Sequence, residues 1–191
     1  METLEGQFLI AMPGMGDARF EKTVIYICAH SAEGAMGFVI NKTLDAPSIP
    51  DFLSQLNIVN GDEIRSIPDN ILQAPLYRGG PVEPGRGFVL HSPEYTSDTT
   101  LPVSDGVSLT ATLEILRAIA TGRGPTKMLL ALGYSGWAGG QLEEEIASNG
   151  WLTVPSQNSI LFDCDNATKY AEALKMLGVD PALLSGDIGH A

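Results

Sequence analysis

The chain is poor in the residues that anchor chemistry or bind nucleic acid. It has only two cysteines, Cys28 and Cys164, with no CxxC pair. A disulfide framework and a zinc ribbon are both disfavoured, and Cys28, in the apolar run TVIYICA, reads as a buried thiol in a reducing cytosol. The three histidines, His30, His91 and His190, fall in no ligand spacing, so no metal and no cofactor are expected. Basic residues are also scarce, 11 against 23 acidic, giving a net charge of −12. They are scattered singly, and no helix-turn-helix is recognisable, which makes direct nucleic-acid binding an unfavoured reading. Long apolar runs are missing too. No stretch nears the ~20 residues needed to cross a bilayer. The first residues, METLEGQFLIAMPG, carry acids where a signal peptide carries positive charge. The expectation is a cytoplasmic protein with no membrane contact.

What is present suits one domain over residues 1–191, with an apolar fraction of 44%. Residues 7–12, 23–29, 36–41 and 86–91 read as strands, being apolar and β-branched. Gly37-Phe38-Val39-Ile40 and Gly87-Phe88-Val89-Leu90 echo one another. The pattern predicts helices at 47–57, 108–121, 141–148 and 166–177, with a buried strand at 127–132. Residues 92–106 read as an irregular excursion, and 151–155 and 159–162 as short strands. Strands come first and mix with helices later, which predicts α+β rather than regular βαβ winding.

Two glycine-rich segments stand out. In Gly133-Tyr134-Ser135-Gly136-Trp137 the strand is expected to end in a tight turn before an acidic helix, freeing amides for an anion. This half-matches the Gly-x-Ser-x-Gly nucleophile elbow, but Trp137 stands where a small residue belongs. A triad of Ser135, Asp163 and His190 can be written, yet Ser135 reads better as a cap or ligand contact than as a nucleophile. In Arg78–Gly87, amides exposed by Gly79 and Gly80 together with Arg78 and Arg86 would cradle an anion; a proline-rigid turn is the plainer and favoured reading. His30 and His91 read as structural strand-end residues. Met12, Met15 and Met36 read as gap-filling core before a methionine-lined pocket, and Tyr134, Trp137 and Trp151 as core before a stacking site.

The stretches GQFLIAMPGMGDARFEKTVIYICAHSAEGAMGFVINK (Gly6–Lys42), YRGGPVEPGRGFVLH (Tyr77–His91) and LGYSGWAGGQLEEEIASNGWL (Leu132–Leu152) together resemble the AlgH/YqgE family of bacterial proteins. The resemblance implies a single α+β domain whose mixed, bifurcated sheet forms a barrel-like core, flanked by about three main helices. It supplies no catalytic residues. Some members carry a transcriptional-regulator label, which the acidic charge does not favour as direct DNA contact. The sequence therefore predicts a non-enzymatic regulatory protein that binds a small ligand or a protein partner. The candidate residues are Arg78, Gly79, Gly80, Arg86, Tyr134, Ser135, Gly136 and Trp137. A Ser135 hydrolase is the alternative.

Overall fold

The computed structural model of the chain describes residues 2–14 and 21–178. Its strands are β1 (Gln7–Ala11), β2 (Val24–Ser31), β3 (Gly34–Val39), β4 (Leu76–Arg78), β5 (Val82–His91), β6 (Leu101–Ser104), β7 (Val107–Thr110), β8 (Met128–Ala138) and β9 (Trp151–Pro155). The α-helices are α1 (Ile49–Gln55), α2 (Asp69–Leu72), α3 (Leu113–Ala120), α4 (Gln141–Ala147) and α5 (Asn166–Met176). The result is a mixed α+β domain, as expected, with a curled sheet.

The sheet runs β6-β7-β5-β8-β3-β2-β1-β9, and β4 lies parallel to β8 off that path. It divides on β8. The first half of β8 has β5 on one side and β4 on the other, while its second half pairs with β3. Past Gly37 the chain leaves β8, and β4 takes its place. Gly79 is the wedge: its carbonyl accepts from Val39 N at 2.9 Å and its N–H donates to Leu132 O at 2.9 Å. Every backbone group at such a split needs a new partner, and Gly79 supplies one to each branch.

Alternation along the strands sorts the apolar side chains into three clusters. Phe8, Ile10, Tyr26, Phe38, Phe88 and Ala131 fill the interior, which α5 closes with Ala173 and Leu174. On the other face, Leu9, Ile25, Ile27 and Val39 pack against Leu142 of α4, and Val89, Leu130 and Leu132 pack under α1 and α3. The two echoing segments lie on β3 and β5, the antiparallel neighbours of β8, with the Phe38 and Phe88 rings 5.2 Å apart. At the far end, β6 meets β2 through side chains: the Tyr26 hydroxyl and Ser104 Oγ share a hydrogen bond.

Several expectations are corrected. The helix expected from Ser108 starts at Leu113, where Thr112 Oγ1 caps Ile115 N at 3.3 Å. Val107–Thr110 is instead a strand between β5 and β6, and the supposedly irregular stretch before it holds β6. Pairing on both sides outweighs the helical spacing of the leucines. Ser159–Asp163 is a π-helical turn, not a strand. It sends the consecutive residues Ile160 and Leu161 inward, which an alternating strand cannot do. Most important, β8 does not stop at Leu132; it continues to Ala138.

Helix α5 is tied down by a lysine rather than by apolar contacts alone. Lys169 is 1% exposed. Its Nζ donates to Ile40 O at 2.7 Å and to Leu161 O at 3.1 Å, and lies 5.0 Å from the centroid of the Tyr77 ring. No carboxylate is among its partners within the described residues. Burial pulls its ammonium down to about 8, with a smaller opposing pull from Cys164. Below that pH the charge is buried in the folded protein and solvated in the unfolded one. As pH climbs toward the ordinary lysine value, the folded form releases its proton first, so stability rises. Urea unfolding of the wild type and of Lys169→Met should show the difference shifting toward the wild type by about 2 kcal/mol between about pH 7 and pH 10. A difference that is flat with pH would contradict the uncompensated buried charge.

Candidate functional site

The two glycine-rich segments meet at the fork. A Cβ on Gly79 would stand 2.3 Å from Gly133 O, and one on Gly80 2.1 Å from the Tyr134 carbonyl carbon. A Cβ on Gly133 would meet Gly80 O at 2.5 Å, and Gly133 also has φ +73°, where side chains are strained. The alternation of side chains along β8 breaks at Gly133. Leu132 packs outward with α3, whereas Tyr134 packs inward against Phe88 at 5.6 Å. The pairing register of β5 with β8 slips across the same point, between Val82 and Gly87. The Gly133–Trp137 segment is not the tight turn with free amides expected from the sequence, because it pairs with β3 and β5, and in the other segment, where a turn was the favoured reading, the Gly79 amide is spent on β8.

Over this fork lies a cleft of about 670 Å³. Arg78, Gly80 and Ser135 line it, as do Thr23, Lys42 and Thr43, which sequence reasoning did not select. The missed residues carry no glycine or motif signal; Lys42 follows β3 and reaches the cleft because Arg78 N donates to Lys42 O at 3.0 Å. The Asn41 side chain fixes that stretch, accepting from Val24 N at 3.0 Å and donating to Lys22 O at 2.8 Å. The walls come from two clusters: Val39 belongs to the one under α4, Leu132 and Leu44 to the one under α1 and α3. The cleft therefore sits where the helical layer divides along with the sheet.

The remaining candidates lie elsewhere. Tyr134, Gly136 and Trp137 line a separate shallow depression with His30 and Met36. Trp137 is held by packing: its indole and that of Trp151 both donate to Glu145 Oε1, at 3.1 and 2.9 Å. Arg86 pairs with Glu83 and lies 5.0 Å over the Phe88 ring, lining a third, smaller hollow. Met36 packs against the interior core, and Met15 lies outside the described residues.

No triad surrounds Ser135 within the described residues. The residue is 4% exposed, and its hydroxyl donates to Gly79 O at 3.2 Å. Asp163 pairs with Lys127, and His190 lies outside the described residues. His30 accepts from Leu4 N through Nδ1 at 3.0 Å, which leaves Nε2–H to donate to Glu143. His91 is fully buried between Ser92 O and Thr110 Oγ1, and burial lowers its pKa. Both histidines are structural. Cys28 and Cys164 are free thiols. Among the described residues no group of three His, Cys, Asp or Glu side chains has metal-holding geometry, and no helix is long and apolar enough to cross a membrane.

Gly80→Ala is expected to cost at least about 3 kcal/mol or to prevent folding, because the clash is with the backbone of the Tyr134–Ser135 peptide, which cannot rotate away. Gly61→Ala, where a Cβ meets nothing within 4 Å, is the control and should stay within about 0.5 kcal/mol of wild type. Similar losses for the two in denaturant unfolding would show that the close approach is not what constrains Gly80. Ser135→Ala should cost about 1 kcal/mol for its lost hydrogen bond. A fluorophosphonate should leave Ser135 unlabelled by mass spectrometry; stoichiometric labelling of the native protein would restore the hydrolase reading.

Comparison with known proteins agrees with this architecture. A family model described as AlgH-like matches residues 8–182. A UPF0301 protein of Sinorhizobium medicae is 53% identical over 188 residues, covering 98% of this chain and 93% of that protein. One from Methylocella silvestris is 51% identical over 189 residues, covering 98% and 92%. The solution structure of the AlgH protein from Pseudomonas aeruginosa matches with a TM-score of 0.80 at 39% identity over the full length of both chains. A crystal structure of a Corynebacterium diphtheriae protein shares the fold, with a TM-score of 0.68 at 20% identity over 92% of this chain and 87% of that one. No activity is established for these relatives as a family. The chain belongs to the AlgH-like family.

Proposed function

We propose that this protein is a non-enzymatic regulatory binding protein of the cytoplasm, and that its small-molecule site is the cleft over the fork. One observation carries the reading: Arg78 and Gly80 from one glycine-rich segment and Ser135 from the other, distant in sequence, line a single cleft. Its volume lies in the range of small-molecule sites, and its floor is backbone locked by close packing. A site already rigid before binding loses little conformational freedom when the ligand arrives. Regulation would then act through the bound ligand or a protein partner rather than through DNA, since the net charge is −12.

A thermal-shift screen against nucleotides, phosphorylated metabolites and organic acids tests this. A ligand at about 100 times its Kd adds about 2.7 kcal/mol, which for a chain of this size raises Tm by roughly 5–10 °C. The shift should shrink in Arg78→Ala, whose side chain is exposed. If a broad library moves nothing, the small-molecule reading falls and a protein partner takes its place.

A further inference from the structure

We infer that the occupant of the fork cleft is an organic anion, a phosphate or carboxylate carried on an apolar body no larger than a mononucleotide. The inference rests on the cleft being the ligand site and goes further by naming the ligand's chemistry.

The charge of the lining departs from that of the chain. The chain holds 23 acidic and 11 basic residues, yet among the described residues no acid lines the cleft and two bases do, Lys42 and Arg78. They are brought together by the backbone bond from Arg78 N to Lys42 O, with an antiparallel bridge between Thr43 and Tyr77 beside it. Their positions are therefore fixed by the fork.

The charges are also available. Among the described residues, Arg86, Lys127 and Lys175 have carboxylate partners, whereas Arg78 and Lys42 have none. Lys42 Nζ donates to Glu21 O at 2.8 Å, leaving two further N–H bonds free to donate. An arginine fork beside a lysine suits phosphate and carboxylate oxygens. In a molecule of net charge −12, an anion approaching any average surface is repelled, so two cations with no carboxylate partner among the described residues make that recess the favourable destination.

The rest of the lining is apolar. Val39, Leu44, Leu132, Pro81 and Pro84 wall the cleft, and bare phosphate would leave them wet. Apolar surface next to a paired charge is the arrangement that holds an amphipathic molecule: burial supplies affinity and the cations fix orientation. The unengaged Thr43 hydroxyl adds a neutral donor or acceptor beside the cations.

Isothermal titration of the full-length protein with four probes separates the contributions: phenyl phosphate, phenylacetate, inorganic phosphate and benzyl alcohol. At least one aromatic anion should bind about tenfold or more tightly than both inorganic phosphate and benzyl alcohol, since either partial ligand gives up one set of contacts. Arg78→Ala and Lys42→Ala should each weaken it about tenfold, and Arg78→Lys less, with circular dichroism confirming the fold of each variant. Affinity should also fall with added salt. If benzyl alcohol binds as well as the anions and the substitutions change nothing, the anion inference is overturned while the cleft remains a ligand site. If inorganic phosphate matches the aromatic anions, the apolar half is wrong. If none of the four binds but the broad screen finds a cleft ligand of other chemistry, the inference alone falls. If neither experiment finds a ligand, it falls together with the proposed function.

Discussion

Two backbones pass within a glycine's width of each other at the fork, and the rest of the molecule is arranged around that contact. Gly79 and Gly80 cross Gly133 and Tyr134 at distances that no Cβ can occupy. This approach lets β4 wedge between β3 and β8, and the wedge divides one sheet into two branches. Each branch then carries its own helical cover, α4 on one and α1 with α3 on the other. The recess between the covers is the cleft. Sheet division, layer division and cleft thus share one cause. Close backbone packing of this kind also makes the floor stiff, because three of the four residues at the crossing have no side chain that can change rotamer.

Much of the fold could be read from the sequence. The runs at β1, β2 and β9 and the helices α1, α4 and α5 appear where periodicity and caps placed them. The failures share a physical origin. β7 carries helix-compatible spacing but is paired on both sides, and Ile160 with Leu161 satisfies the interior through a turn. In both, tertiary partners decide against local preference. The glycines of β8 were the most misleading signal. Gly-x-Ser beside more glycines suggests a turn because free glycine permits one. Here the same residues are small so that another strand can pass.

The candidate site was legible in half. Glycine content identified the two segments that meet, but it did not separate Arg78 and Ser135, which face the cleft, from Tyr134 and Trp137, which pack against Phe88 and Trp151. The break in alternation at Gly133 turns Tyr134 inward and Ser135 outward, while Trp137 shares the face of Ser135 but lies beyond the cleft, against Trp151; neither placement leaves a trace in composition. Lys42 was invisible for a different reason. Its importance comes from lying beside Arg78 across the Thr43–Tyr77 bridge, a contact between parts of the chain that spacing does not connect.

The fork also sets a timetable for synthesis. β1, β2 and β3 form a meander that can close early, but most of the free edge of β3 is covered by β8, about a hundred residues further along. Until then the emerging chain presents an unpaired strand to its surroundings. Such an edge is where nascent chains associate wrongly. The interval before β8 arrives thus leaves this edge open, and a chaperone that recognises extended apolar edges would find a target there.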